Sequence, residues 1–213
     1  MLHDNGVIDA ALFIAVLIPS IILHEVAHGW VALRFGDTTA RDAGRLTLNP
    51  IPHVDPFGSL LLPAMLALAN QNVFGWAKPV PVNPARFPRP VGGMAVVALA
   101  GPATNLLIAL AAGRFGPFTQ TGDVVFVTSD AIWARLVLGL LVVNAALAVF
   151  NMLPIPPLDG SKLLPLVLTD GGRRVFHQVS QYGFLILVLL LFVFEDSLSF
   201  LGDAIRWIVR LAV

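Results

Sequence analysis

Long apolar stretches recur along this chain and decide what it can fold into. Four of them approach the roughly 20 residues that an apolar helix needs to cross a bilayer. They cover residues 7–33, 91–112, 131–153 and 179–194. Charged residues make up only 12% of the 213 residues, and hydrophobic residues make up 57%, more than a globular surface of this size hides from water. We therefore predict an all-α membrane protein, a polytopic bundle of about five or six transmembrane helices in a lipid bilayer.

The charge balance excludes several functional classes. Thirteen Lys and Arg residues stand against 13 Asp and Glu residues, so the chain lacks the basic excess of a nucleic-acid-binding protein. The glycine-rich motifs that bind nucleotides do not occur in the sequence, so no nucleotide is expected. Cysteine is absent as well, so a bound metal must be held by nitrogen and oxygen ligands.

Basic residues collect in three polar stretches, residues 34–56, 73–90 and 157–177. Acidic residues predominate in residues 113–130 and 195–203. By the positive-inside rule, the three basic stretches face the cytoplasm and the two acidic ones lie outside. The chain is therefore expected to be a multi-pass protein of the plasma membrane.

This orientation creates a conflict at residues 57–72, which lie between two stretches assigned to the same side. The segment is short and contains Pro63. We predict that it enters the membrane and returns on the same side, which is possible where irregular backbone is buried in protein. The alternative is a short ordinary span. The tail, 197–213, carries its charges on one helical face, which is typical of an interfacial amphipathic helix, with a sixth span as the alternative.

The motif His24-Glu25-Val26-Ala27-His28 lies near the inner end of the first apolar stretch. Residues four apart lie on one face of a helix, so both imidazoles can reach one metal ion. Glu25 stands beside them and can take a proton from a metal-bound water. The alternative, a polar patch at the membrane interface, fits poorly because ionisable groups inside a span are costly and usually functional. We predict one zinc ion per chain.

A catalytic zinc needs a third protein ligand, which here must be His, Asp or Glu. The remaining histidines are His3, His53 and His177. Asp159 is the stronger candidate, at the end of the run Asn151-Met152-Leu153-Pro154-Ile155-Pro156-Pro157-Leu158-Asp159-Gly160. The prolines end the preceding helix, and an acid after such a break can point back into a bundle. An ordinary Asp-Gly turn is the alternative.

Together, H-E-x-x-H in one membrane helix and N-x-x-P-x-P-P-L-D-G at the end of a later one resemble the site-2 protease family of intramembrane zinc metalloproteases. Two further segments resemble compact bacterial members of that family: residues 75–83, and Ala100-Gly101-Pro102 with Asn105. The resemblance implies that His24, His28 and Asp159 hold zinc, that Glu25 is the general base, and that Asn151 holds the substrate carbonyl or its oxyanion.

The same resemblance implies a single membrane-embedded catalytic core over residues 1–213, without a PDZ or cystathionine-synthase-type domain. It implies a bacterial zinc endopeptidase that cleaves transmembrane or signal-peptide-like helices near the cytoplasmic side. Selection then rests on helix instability in the substrate or on a separate adaptor. Two alternatives from other classes are a zinc transporter and a catalytically silent membrane adaptor.

A transmembrane helix must be unwound before its peptide bonds can be attacked, because every backbone group in it is paired. Residues 44–50 show a short alternating pattern that predicts a strand near the active site, offering an edge to the substrate. Residues 78–84 are also expected to be extended and to shape the wall of the cleft. Surface loops are the alternative for both. Asn105 and Asn144 are predicted to join helices. The run His53-Val54-Asp55-Pro56 is predicted to cap the segment that follows it, with a second metal site or a proton route as the alternative.

Overall fold

The computed structural model describes residues 6–61, 65, 68, 76–122, 124–129, 131–193 and 199–213. Three long helices dominate it: α1 (Gly6–Arg34), α2 (Pro90–Phe115) and α3 (Ile132–Asn151). Three shorter helices follow, α4 (Asp170–Ser180), α5 (Gly183–Val193) and α6 (Ser199–Ala212). A two-stranded antiparallel hairpin, β1 (Phe118–Thr121) and β2 (Val124–Val127), connects α2 to α3.

The three long helices are each long and apolar enough to cross a membrane. Their apolar side chains run all round the helix, as expected where lipid and not water surrounds it. This confirms the prediction of an all-α, membrane-type fold. The count of five or six spans is not confirmed, because α4 and α5 have 11 residues each and α6 has 14.

Helix α2 is the centre of the bundle, since it packs against both α1 and α3, which also touch each other. One apolar cluster, formed by Ala109, Leu141, Ala145, Ile208 and Ala212, joins α2, α3 and α6. The small residues allow close approach of the backbones. The tail helix therefore buries Ile208 and Ala212 on protein, while Trp207 and Leu211 stay exposed and Asp203 and Arg206 pair with each other.

The strand predicted for residues 44–50 is absent. A single helical turn, Thr39–Asp42, is followed by Gly44 with a φ of +66° and then by bends. The positive φ reverses the chain, and Leu46 packs against α1 at Gly29 instead of alternating along an edge. Two short 3₁₀ helices, Ile51–His53 and Pro84–Arg86, lie near the ends of the polar stretches 34–56 and 73–90.

The described strands lie away from the position predicted for them. The hairpin follows Phe115, the last residue of α2, whereas the histidines contact α2 at Gly101. Fourteen residues of helix separate these points, roughly 21 Å at 1.5 Å per residue. The hairpin is therefore not near the histidines.

Most of the segment predicted to be re-entrant, 57–72, lies outside the described residues. Its beginning forms a π-helical turn, Pro56–Leu61. The carboxylate of Asp55 caps this turn by accepting hydrogen bonds from the backbone N–H groups of Phe57 and Gly58. Within the run His53-Val54-Asp55-Pro56 predicted to cap this segment, Asp55 is thus the residue that forms the cap. The helix predicted at 179–194 is divided by a turn between α4 and α5.

Candidate active site

His24 and His28 lie one turn apart on α1 and point into the bundle. Their exposed fractions are 6% and 7%. The two Nε2 atoms are 3.0 Å apart, and the ring planes are nearly perpendicular, at 86°. Both imidazoles therefore present the same nitrogen to one point.

The third member of this group is Asp159, which lies 135 residues after His24 in the sequence. It begins the 3₁₀ helix Asp159–Leu166, directly after the proline-rich break that ends α3. Its Oδ2 atom is 3.1 Å from Nε2 of both histidines, and its Oδ1 atom accepts a hydrogen bond from Lys162 Nζ at 2.9 Å. Lys162 thereby turns a single carboxylate oxygen toward the imidazoles.

The three atoms fit a zinc ion. Ligands at about 2.0–2.1 Å from a tetrahedral zinc are roughly 3.3 Å from one another, close to the 3.0–3.1 Å observed. Two nitrogens and one oxygen are also a donor set that zinc accepts, and three protein ligands leave one position open for water or substrate. Within the described part of the chain, His24, His28 and Asp159 are the one cluster that could hold a metal.

Helix α2 supports the histidines from behind. His28 Nδ1 donates to the backbone carbonyl of Val97 at 2.6 Å, and His24 Nδ1 lies 2.6 Å from Asn105 Oδ1. Between these contacts stands Gly101, where an added Cβ would lie 2.6 Å from His24 Nε2. The absent side chain at Gly101 therefore makes the space for the metal-binding face of both rings.

Glu25 lies at the side of the cluster, half-buried. Its Oε2 atom accepts a hydrogen bond from the backbone N–H of Val80 at 2.7 Å. Val80 belongs to an extended segment, residues 76–83, that crosses the site. The wall-shaping position predicted for residues 78–84 is confirmed for Pro79, Val80 and Val82, which line the cavity described next.

A cavity of about 550 Å³ opens over the three candidate ligands. Its wall is largely apolar, with Met94 and Val97 from α2 and Phe184 and Leu187 from α5. Asn151, the last residue of α3, also lines it, and its Nδ2 atom donates to the carbonyl of Leu147 at 3.0 Å. The cavity thus gathers Glu25, Asn151 and the three candidate ligands in one space suited to an apolar chain.

Neither His53 nor His177 takes part in this cluster. His3 lies outside the described residues. His53 is buried, and its Nε2 atom donates to the carbonyl of Thr47, while His177 belongs to α4. Among the open alternatives for a third ligand, Asp159 is the residue that the structure brings to His24 and His28.

Two polar side chains hold the extended segment, residues 76–83, in place. Arg45 is buried and donates from Nη2 to the carbonyls of Lys78 and Pro79. At the other end, Asp37 Oδ2 accepts the backbone N–H of Asn83 at 2.6 Å. Both come from the polar stretch after α1, so that stretch anchors the wall of the cavity.

Burial alone would raise the pKa of Asp37, which is fully enclosed. Hydrogen bonds from the Asn83 N–H and from Thr39, together with the charge of Arg86, outweigh burial and hold the pKa of this carboxyl below its ordinary value. Asp37 is therefore ionised at neutral pH and acts as a charged anchor.

Gly101, Lys162, Arg45 and Val97 have roles at this site that the sequence patterns did not reveal. Gly101 and Lys162 stand near motif residues, and an ammonium three residues after a candidate metal ligand is a usable signal. Val97 contributes a backbone carbonyl, and Arg45 contacts a segment more than 30 residues away. Neither contact has a sequence period that could have predicted it.

The chain is similar to known proteins that are named as zinc metalloproteases. The family model of peptidase family M50 matches residues 116–194. YwhC of Bacillus subtilis (strain 168), named as a candidate zinc metalloprotease, is 38% identical over 204 residues, which cover 90% of this chain and 82% of YwhC. No solved structure matches the chain significantly.

Two relatives carry the name Rip2 and are likewise named as candidate zinc metalloproteases. The protein of Mycolicibacterium smegmatis (strain ATCC 700084 / mc(2)155) is 37% identical over 182 residues, covering 84% of this chain and 66% of the relative. That of Mycobacterium tuberculosis (strain ATCC 25618 / H37Rv) is 30% identical over 212 residues, covering 95% and 76%. On this evidence the chain belongs to peptidase family M50, the site-2 protease family, and is a zinc metalloprotease of a bacterial membrane.

Proposed function

We propose that this metalloprotease hydrolyses peptide bonds within or beside transmembrane or signal-peptide-like helices, at a zinc ion held by His24, His28 and Asp159. The observation that carries the proposal is the meeting of three ligand atoms at 3.0–3.1 Å beneath an apolar cavity, between helices long enough to span a membrane. When bound there, zinc polarises the scissile carbonyl and lowers the pKa of water to about 7.

Glu25 is the general base of this proposal. Its carboxylate receives a proton from the attacking water as the new C–O bond forms, and passes it to the amide nitrogen as the C–N bond breaks. The hydrogen bond from the Val80 N–H leaves Oε1 of the same carboxylate for this work. Glu25 lies beside His24 and not on the opposite wall of the cavity. This position lets its carboxylate reach the attacking water.

Asn151 supplies a hydrogen-bond donor to the substrate carbonyl. Its amide has two N–H hydrogens, and one of them is used on Leu147. The second can stabilise the developing oxyanion, a contribution of about 3–4 kcal/mol for one such donor in a catalytic site.

An apolar cavity at the end of the long helices favours a substrate that is itself apolar and locally unwound, since a paired helix shields its peptide bonds. The basic stretch after α1 favours a site near the cytoplasmic side by the positive-inside rule. Selection then depends on how readily the substrate helix unwinds, or on a separate adaptor protein.

The test is cleavage of a panel of single-helix membrane substrates by the purified protein and by Glu25→Gln. We expect loss of cleavage by at least about 100-fold for removal of a general base, with zinc content unchanged at one per chain. Glu195→Gln, at the only other glutamate in the sequence, is the chemically matched control and should retain activity. Wild-type cleavage by Glu25→Gln, or zinc flux across vesicles without any cleavage, would refute the proposal.

A further inference from the structure

A chain of polar side chains lies buried between the three long helices, behind the metal-binding face. It runs from Ser20 and His24 on α1 through Asn105 on α2 to Asn144 on α3. Both asparagines are fully buried, and Ser20 is 1% exposed. The bond between Asn105 and Asn144 confirms that these residues join helices. Which of the two asparagines donates this hydrogen bond determines what Asn105 presents to His24.

The direction is set at Asn144. Its Nδ2 group donates to the carbonyl of Leu140 at 2.9 Å, and a carbonyl can only accept. The same Nδ2 donates to Ser20 Oγ at 2.9 Å, and Ser20 gives its own hydrogen to the carbonyl of Val16. A flipped Asn144 would put its oxygen against the Leu140 carbonyl. Its Oδ1 atom must therefore face Asn105.

The direction then passes to His24. Because Asn144 presents an oxygen, Asn105 must present Nδ2 to it, at 2.8 Å. Asn105 Oδ1 is left facing His24 Nδ1 at 2.6 Å. An amide oxygen can only accept, so Nδ1 must carry the hydrogen and Nε2 must carry the free electron pair.

We propose that Asn105 and Asn144 are positioning residues that hold His24 in its metal-binding tautomer before zinc arrives. The inference rests on the proposed zinc site. The carbonyl of Val97 fixes the same tautomer at His28, because it accepts a hydrogen bond from Nδ1. Outer partners of this kind fix ring orientation and tautomer at metal sites generally. Here the tautomer of His24 is set from a backbone carbonyl of α3 through two side chains, and the Ser20 carbonyl on α1, 3.4 Å from Asn105 Nδ2, supports the same orientation.

The direct test is the tautomer of His24 in the zinc-free full-length protein, read by ¹⁵N NMR of histidine-labelled protein in detergent. We expect hydrogen on Nδ1 in the wild type. In Asn105→Leu, which has no acceptor, we expect His24 to shift toward the Nε2-protonated form that free neutral imidazole side chains prefer. Thr104→Val is the matched control, because the neighbouring Thr104 hydroxyl bonds, among the residues that the structure describes, to the Ala100 carbonyl on its own helix. It should leave the His24 signals unchanged.

A second measurement tests whether Asn144 acts through Asn105. We expect Asn105→Leu to weaken zinc binding about 10–100-fold, the range for outer partners of ligating histidines. Asn144→Leu should weaken it in the same direction but by less, because Asn105 Nδ2 then keeps its 3.4 Å bond to the Ser20 carbonyl, which still favours the same orientation. The double variant should bind zinc no more weakly than Asn105→Leu alone. Independent, additive losses would overturn the relay.

Asn105→Asp guards against a variant that fails to fold. It keeps the size of the side chain and the acceptor facing His24, so hydrogen on Nδ1 should be retained. An Nε2-protonated His24 in this variant, or in the zinc-free wild type, overturns the proposal. These readouts are independent of cleavage. A protein with the expected tautomer and zinc affinity but no protease activity would refute the proposed function and leave this inference standing.

Discussion

At the scale of single residues, the site depends as much on a missing side chain as on those present. Gly101 faces both imidazoles across the contact between α1 and α2. Gly92, on the same helix, has no neighbouring atom within 4 Å of the position of an added Cβ. Substituting each glycine with alanine therefore separates the effect of lost space at the site from the effect of replacing a glycine in a helix.

Gly101→Ala should abolish tight zinc binding, because the new methyl group would displace the metal-binding faces of His24 and His28. Gly92→Ala should bind zinc normally and be slightly more stable, by up to about 1 kcal/mol, since alanine favours a helix over glycine. Zinc content after dialysis against a weak chelator, with the melting temperature of each variant, measures both effects. Equal zinc content in the two variants would contradict this account of Gly101.

The residues that the structure brings together were found from sequence because their chemistry follows a short local rule. His24, Glu25 and His28 share one helical turn, and the proline-rich run marks Asp159 as the residue after a forced break. Gly101 acts across a contact between distant parts of the chain, whereas Lys162 bonds to a residue three positions away. No local rule predicts which glycine among 18 meets an imidazole.

At the scale of elements, the extended segment over the site is held by side chains of the polar stretch after α1. Asp37 and Arg45 anchor its two ends. The prediction of a strand at residues 44–50 was wrong for a related reason. The alternating pattern is compatible with a strand, but the buried guanidinium of Arg45 donates hydrogen bonds to carbonyls of the other segment. The tertiary contact overrides the local pattern.

Asp37→Ala should free the Asn83 end of the cavity wall. The loss of hydrogen bonds to a charged carboxylate costs about 1.5–3 kcal/mol for each, so we expect a lower melting temperature and a higher KM for cleavage. Asp42→Ala is the control, because Asp42 is exposed and bonds only to Thr38 and Arg41 nearby. It should change stability by less than about 0.5 kcal/mol. Equal effects of the two substitutions would contradict the anchoring role.

The contribution of Asp37 should also depend on pH. Its pKa is lowered in the folded protein, so its charge stabilises the fold above the unfolded pKa of about 3.9 and loses this effect as the pH falls through the folded value. The difference in melting temperature between wild type and Asp37→Asn should be constant from pH 7 to about 5 and shrink below about 4. A difference that grows on acidification would reverse the sign of this argument.

At the scale of the whole molecule, three long helices were predictable from hydropathy alone, whereas the ends of the chain were not. Helix α6 is short, and its burial is decided by packing on α2 and α3, as the cluster at Ala109 and Ile208 shows. A hydropathy window measures how apolar a segment is. It does not distinguish a segment that meets lipid from one that meets protein.

The predicted orientation can be tested cleanly because the chain contains no cysteine. Ala43→Cys, exposed in the stretch after α1, and Gln120→Cys, exposed in β1, introduce single thiols. In intact bacterial cells a membrane-impermeant maleimide should label only the thiol at position 120, and the thiol at position 43 should react after permeabilisation. The reverse pattern would place the proposed active site on the outer side.

The distance along the chain between the proposed ligands has a consequence for biosynthesis. His24 and Asp159 are 135 residues apart, and ribosomes add about 5–20 residues per second, so roughly 7–27 s pass between their synthesis. During that interval the growing chain carries the histidine pair without its carboxylate partner. With the proposed ligand set, the growing chain has no complete zinc site until Asp159 has been made, so we expect it to cut no membrane helix before that point.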